Sequence, residues 1–348
     1  MNNIVEAIEA LGLANPLTFS VLFIGASLLM IWRLNALLDH GLEGTALGTL
    51  VMPYCSGLGN LIFVFILLQS KGQSIEVMTN CLVNNATNLT FVLAIPALIW
   101  GLNLSPVSAG SGEGGKGKKP KKAAIAKLEK AETEQRLSRL SLFLTMAAVA
   151  FFSGAVWALG QDGFLDFGDG LVLVGLFLFW QCFQVFDVLK HNVRQKKSFS
   201  PFFFMDLGAL LIGAVFLYIS LDWLMTWLAA QKTGFISAKN LGWLSGWLMV
   251  LPNALLAVYY GWKRRADIVY SSQLGDGHIC IPLCVGLYAL FKPIPLPGFF
   301  GAGIVILLAA TALHFLVIAT LGRLPHWAGW LLMAAYGWFV IAGLDVWA

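Results

Sequence analysis

The stretch Asn80-Cys81-Leu82-Val83-Asn84-Asn85-Ala86-Thr87-Asn88 sets four asparagines inside an otherwise apolar run that continues to Trp100. An amide in hydrocarbon is costly unless a neighbour, a water or an ion takes up its hydrogen bonds. These residues therefore predict a polar centre enclosed by other helices. A second stretch answers to the first: Ser272-Gln273-Leu274-Gly275-Asp276-Gly277-His278-Ile279-Cys280. Each is preceded by a segment that sets a helix-weakening residue beside an asparagine, Ser56-Gly57-Leu58-Gly59-Asn60 in the first case and Met249-Val250-Leu251-Pro252-Asn253 in the second. Asn84 follows Asn60 by 24 residues (84 − 60 = 24), and Asp276 follows Asn253 by 23 (276 − 253 = 23). The two hairpins share one plan, and the odd number of spans between them turns the second copy upside down. Inverted repeats with interrupted helices place a substrate site near the membrane midplane.

Composition agrees with a membrane location. Of 348 residues, 58% are hydrophobic and only 11% charged, and the mean hydropathy is +0.78. A soluble domain carries about 25% charged residues. Apolar runs predict spans near 17–38, 44–70, 76–103, 140–160, 168–189, 202–228, 237–262, 268–291, 299–321 and 326–347, an all-α polytopic protein of about ten transmembrane helices in two inverted five-helix repeats. A soluble enzyme, a single-anchor protein and an alternating β-barrel are excluded. The expected organisation is 1–103 for the first three spans, 104–139 for a basic linker, 140–200 for spans four and five, and 201–348 for the second repeat. Cys55, Cys81, Cys182, Cys280 and Cys284 form no CxxC pair and read as small buried apolar residues. Residues 1–16 contain Glu6 and Glu9 but no Lys or Arg, so no cleaved signal peptide is expected there.

Orientation follows from the basic residues. With ten spans, 18 of the 22 Lys and Arg fall on one side, among them Arg33, Lys116 to Arg139, Lys190 to Lys197, Lys263 to Arg265 and Arg323, and only Lys71, Lys232, Lys239 and Lys292 fall on the other. The positive-inside rule then places a multi-pass protein in the plasma (inner) membrane with both termini outside. The net charge of +4 is explained by these loops, and no nucleic acid partner is expected. In the linker, Gly112, Gly117 and Lys118 fit phosphate-loop spacing, but Lys119 replaces the Ser or Thr that would hold magnesium and no strand precedes. The lysines there either touch anionic headgroups or simply enforce topology. The sequons at Asn85 and Asn88 lie within a span, where no glycan can be attached.

Asn60, Asn84, Asn88, Asn253 and Asp276 offer hard oxygens, the ligands small cations prefer. Asparagines also serve as interhelical hydrogen-bonding partners; five polar groups at matched positions favour a site over that reading. Asp276 and His278 are the ionisable residues placed deepest, and ion or proton coupling is the function expected of such groups. Asp187, Asp206 and Asp222 read as interfacial carboxylates, and His314 as a packing residue.

The pattern resembles the calcium/cation antiporter superfamily, the group containing sodium/calcium exchangers. Its hairpins carry Gly-Thr-Ser-Leu-Pro-Glu on the first helix and Gly-Asn-x-x-Gly-Ser-Asn on the second. Ser56 to Asn60 and Met249 to Asn253 lie over the first motif, with Leu251-Pro252 best preserved; Asn80 with Asn84, and Ser272 with Gly275-Asp276, lie over the second. The resemblance implies a secondary transporter whose ion or substrate ligands are Ser56, Asn60, Asn84, Asn88, Asn253, Asp276 and Cys280, with no cofactor beyond a transported cation such as Na⁺, H⁺ or a divalent ion. Both family glutamates correspond here to Asn60 and Asn253. One carboxylate among amides suits a monovalent ion or a proton better than Ca²⁺. The alternative is a degenerate member that no longer transports and acts as a binding or regulatory protein. A Cys280–His278 nucleophile pair is disfavoured because residues two apart on a helix face different ways. The partners expected are the lipid bilayer and a small inorganic ion, with the oligomeric state open.

The charge asymmetry makes a topology prediction. An impermeant thiol reagent added to intact cells should label a cysteine placed at Lys232 and miss one placed at Lys118; labelling at position 118 would reverse the orientation.

Overall fold

The computed structural model describes residues 2–37, 57–70, 73–104, 122–192 and 201–344, with the side chains of 2–3, 35, 122–139, 187–192, 201 and 276 outside the description. The expectations for Ser56, Cys55, the phosphate-loop-like segment and most of the linker therefore lie outside the described residues. The chain is almost entirely helical. A short helix α1 (Asn2–Ala10) precedes α2 (Pro16–Leu37), and α3 (Leu58–Gln69) follows. Next come α4 (Ile75–Thr87), a π-helical turn over Asn88–Val92 and α5 (Leu93–Trp100). Helix α6 (Lys122–Leu159) joins the helix-prone part of the linker to the next apolar run without a break, and α7 (Phe167–Asn192) and α8 (Pro201–Ala230) complete the first part of the bundle. Then come α9 (Leu241–Trp262), α10 (Ala266–Ile279), a second π turn over Cys280–Val285, α11 (Gly286–Ala289), α12 (Phe300–Leu321) and α13 (His326–Gly343).

Seven stretches among the described residues are long and apolar enough to cross a membrane: those starting at Pro16, Ile75, Leu140, Phe167, Phe202, Ala238 and Phe300. Of the ten expected spans, the remaining three are shorter or more polar. Helix α3 has 12 residues in its described part, and α10 carries Asp267, Ser271, Ser272, Gln273, Asp276 and His278 in 14 residues.

Burial separates a centre from a periphery. The α4–α5 stretch is 78% buried, whereas α7 is 22% buried and turns Phe179, Phe183 and Phe186 outward. Because lipid tails are as apolar as leucine, hydrophobicity alone does not decide which helices lie inside; close packing and hydrogen bonds do. Helix α9 packs closely on α4. Its Gly242 and Gly246 lie four apart against α4, and a Cβ on Gly246 would stand 2.9 Å from the Val83 side chain. A Cβ on Gly57, at the start of α3, would overlap Ile279 at the end of α10.

Two antiparallel strand pairs tie the helix ends together. Leu102–Asn103, after α5, pairs with Arg323–Leu324, after α12; Phe164–Leu165, after α6, pairs with Ile294–Pro295, after α11. Lys292 donates from Nζ to the carbonyls of Leu68 (2.9 Å) and Ser70 (3.2 Å), satisfying the orphan acceptors at the end of α3. Arg33 on α2 pairs with Asp206 on α8 at 2.9 Å. Asp206 is only 3% exposed, so it is not the solvated interfacial carboxylate expected of it; the guanidinium of a facing helix takes the place of water. Cys81, Cys280 and Cys284 are buried as expected, but Cys182 is exposed on the outward face of α7.

Candidate functional site

Helix breaks form, but not where glycine and proline first suggest. Gly59 and Pro252 sit within continuous helices α3 and α9, and the ladder opens instead at Asn88 and at Cys280 on the second helix of each hairpin. Proline explains the choice of place. Pro96 lacks an N–H for the carbonyl four residues back, at Val92, where the first π turn ends; Pro282 lies inside the second. A π turn absorbs such a mismatch and frees backbone groups in the membrane interior. The freed Leu89 carbonyl in the first turn is taken by His314 Nε2 from α12 at 2.8 Å, while His314 Nδ1 meets the Tyr270 hydroxyl of α10 at 3.2 Å. His314 thus has a specific hydrogen-bonding task beyond the packing expected of it, holding one π turn against α10 and α12.

The asparagines converge between these elements. Asn60 and Asn253 line one cavity of about 30 Å³ with Gly59, Pro252 and Ser27 of α2. A cavity needs roughly 10–15 Å³ by this measure to hold a water, so this one has room for a small cation with a ligand water. Asn84 Nδ2 lies 3.5 Å from Asn60 Oδ1, at the weak end of hydrogen-bonding range. Asn88 Nδ2 donates to Asn84 Oδ1 at 3.1 Å, and Cys280 Sγ approaches the same oxygen at 3.7 Å. Four of the expected ligands, Asn60, Asn84, Asn88 and Cys280, therefore form one connected cluster, and Asn253 joins it across the cavity. All are buried, with Asn253 the most accessible at 7%. The backbone of Asp276 lies one turn before Cys280 on α10, and its side chain is outside the described residues.

His278 is not part of the cluster. Its Nε2 lies 3.2 Å from the Thr145 carbonyl of α6, and its ring packs against Trp180 of α7 and Phe152 of α6. Since Cys280 turns toward Asn84 and His278 toward α6, the two do not form a nucleophile–base pair. Glu76 and His314 are also buried, so the deep ionisable set is larger than Asp276 and His278.

Two further residues have a role that the sequence does not reveal. Gln273, 1% exposed, donates from Nε2 to the Asn253 carbonyl at 3.1 Å and to Ser272 Oγ at 3.0 Å, while its Oε1 has no partner among the described residues. The other is Asn80, one turn before Asn84, which donates from Nδ2 to Ser245 Oγ of α9 at 2.9 Å. Among the described residues no three His, Cys, Asp or Glu side chains come together as a metal-holding group. The cluster is one of neutral amide oxygens.

A buried cluster of amides at the crossing of interrupted helices defines a multi-pass helical membrane protein with a small polar centre. Residues 16–186 match the family described as sodium/calcium exchanger protein. The fold is similar to that of the sodium-calcium exchanger NCX_Mj soaked with 2.5 mM Na⁺ and 1 mM Sr²⁺, at a TM-score of 0.63 and 15% identity, covering 93% of this chain and 96% of that one. With NCX_Mj soaked in 10 mM Na⁺ and no Ca²⁺ the TM-score is 0.58 at 18% identity, covering 93% and 99%. No curated protein matches the chain in sequence. Just under half of the chain thus matches the sodium/calcium exchanger family, and the likeness of fold extends to 93% of it.

The π-turn clamp can be tested directly. His314→Leu leaves the Leu89 carbonyl and the Tyr270 hydroxyl without their partner and should destabilise the purified protein by about 2–4 kcal/mol. His314→Gln, which keeps a donor of similar reach, should recover at least half of that in a thermal unfolding measurement; equal loss in both variants would show that the ring's packing matters and the bond does not.

Proposed function

We propose that this chain is a secondary antiporter that moves a small monovalent cation, exchanged against a second ion or a proton, by alternating access between two inverted five-helix repeats. The observation that carries this reading is the buried cluster of Asn60, Asn84, Asn88 and Cys280 beside two π turns, with Asn60 facing Asn253 across a small cavity. Oxygen ligands from opposed hairpins are what a cation needs once it leaves water.

Several features support the inverted repeat. The two π turns begin at Asn88 and Cys280, the positions paired by the hairpin spacing. The strand pair after α5 and α12 has its counterpart in the pair after α11 and α6. Exchanging the halves of a ten-span chain maps the first pair onto the second. The organisation we infer is residues 1–103 and 140–200 as one repeat, 201–348 as the other, and 104–139 as a cytoplasmic linker, in the plasma membrane with both termini outside. Each strand pair then joins loops assigned to the same side of the membrane.

The ion differs from the divalent one of the family's name. NCX_Mj is a sodium-calcium exchanger, whereas Asn60 and Asn253 stand where the family motif has glutamate. Two neutral amides in place of two carboxylates remove the charge that offsets Ca²⁺ in a low dielectric. Ser56 and Asp276 complete the proposed ligand set, and Asp276, the one acidic member, carries the charge coupling. His278 is turned toward α6 and is not part of the proposed ligand set. The same loss of both glutamates favours a second reading, a non-transporting membrane binding or regulatory protein of this fold.

Asp276→Asn preserves size and removes only the charge. In proteoliposomes it should abolish coupled cation flux while leaving the elution profile of the protein unchanged. Equal flux and equal pH dependence in the variant and the parent would overturn the coupling role and move weight to the non-transporting reading.

A further inference from the structure

The polar face of α4 does not end at the asparagines. Glu76, Asn80, Asn84 and Asn88 follow at intervals of four, so they form one slowly turning stripe, with Glu76 about 12 Å along the helix from Asn84. Every member is buried; Glu76 keeps 7% of its surface exposed and Asn80 none. The lower part of the stripe meets α3 and the second π turn through Asn60 and Cys280. Its upper part meets α9. Glu76 Oε2 accepts the Gly242 N–H at 2.6 Å, and Asn80 Nδ2 donates to Ser245 Oγ and approaches Met249 Sδ at 3.6 Å. Asn80 Oδ1 has no hydrogen-bond partner among the described residues.

Glycine makes the approach possible. A Cβ on Gly242 would stand 2.7 Å from Glu76 Oε2 and 2.6 Å from Thr79 Cβ. The carboxylate lies in the first turn of its own helix and against the first turn of α9, so two helix ends direct their positive poles toward it. These partial charges stabilise an ionised carboxylate without cancelling it, and among the described residues no Lys, Arg or His pairs with Glu76.

We propose that Glu76, Asn80 and Ser245 form a second cation station at the end of the stripe, which takes a monovalent cation such as Na⁺ in line with the Asn60–Asn84 cluster. A carboxylate oxygen, an amide oxygen without a partner and a hydroxyl are hard ligands, and a single formal charge matches a single positive one. The station restores, two helical turns away, the negative charge that the replacement of the family glutamates removes from the inner cluster. A buried negative group at the mouth of a polar stripe also raises the local cation concentration. The station deepens the antiporter reading and rests on it only for the role of the ion as cargo; binding itself does not require transport.

The test is equilibrium binding of radioactive Na⁺ to the purified full chain, with flux measured in parallel in proteoliposomes. Glu76→Gln should keep the thermal unfolding midpoint within a few degrees, bind one Na⁺ fewer per chain, and raise the Na⁺ concentration for half-maximal flux about tenfold. Gly242→Ala, which displaces the carboxylate and keeps its charge, should weaken the same binding event, whereas Asn60→Leu should spare it. If the parent binds Na⁺ and Glu76→Gln loses an ion while no chain carries flux, the antiporter reading fails and the station stands. Identical Na⁺ stoichiometry and affinity in Glu76→Gln and the parent, or no Na⁺ binding by the parent, would overturn the station.

Discussion

Every polar group that enters the hydrocarbon layer must find a partner inside the protein, and α4 with its π turn is where this constraint acts hardest. The helix carries Glu76, Asn80, Asn84, Asn85 and Asn88 through the most buried part of the bundle. Its neighbours are arranged around that need. Helix α9 offers the Gly242 N–H and Ser245, α3 offers Asn60, the second π turn offers Cys280, and α12 sends His314 to the carbonyl opened by the first π turn. The polar stripe is thus both the element that fixes which helices lie inside and the element that offers oxygens to an ion.

The hairpin plan is legible because it is written in residue types that have no ordinary place in a membrane. Asn60, Asn84 and Asn253 stand out against leucine and phenylalanine, and their spacing alone predicts that they meet. The family likeness and the cavity shared by Asn60 and Asn253 agree with that expectation. The break points are harder to read, because glycine and proline mark where a ladder can open, while the position of the opening depends on which carbonyl loses its donor. Pro252 is accommodated within a continuous α9, whereas Pro96 leaves the Val92 carbonyl without its donor and a π turn ends there.

Other features are hidden for a different reason. Glu76 follows Gln73 and Ser74 at the edge of a span and goes unremarked in the sequence, because its partner is a backbone N–H 166 residues away. His314 hides in the same way behind a carbonyl that is free only once the π turn exists, whereas Asp206 has a complementary residue, Arg33, but 173 residues away. Side chains that bond to backbone groups leave no complementary residue in the sequence. His278 shows the converse: its position two residues from Asp276 suggests a shared role, but the helical turn sends it to Thr145.

The central claim is that a cavity lined by amides in place of glutamates selects a monovalent cation. It is tested most directly by reconstituting the parent protein in proteoliposomes and imposing gradients of Na⁺, K⁺, H⁺, Ca²⁺ and Mg²⁺ one at a time. The account predicts counterflow driven by a monovalent ion or proton gradient and left unchanged when Ca²⁺ is omitted. Ca²⁺ uptake against Na⁺ as the dominant activity, or no flux under any gradient while the protein remains folded, would contradict it.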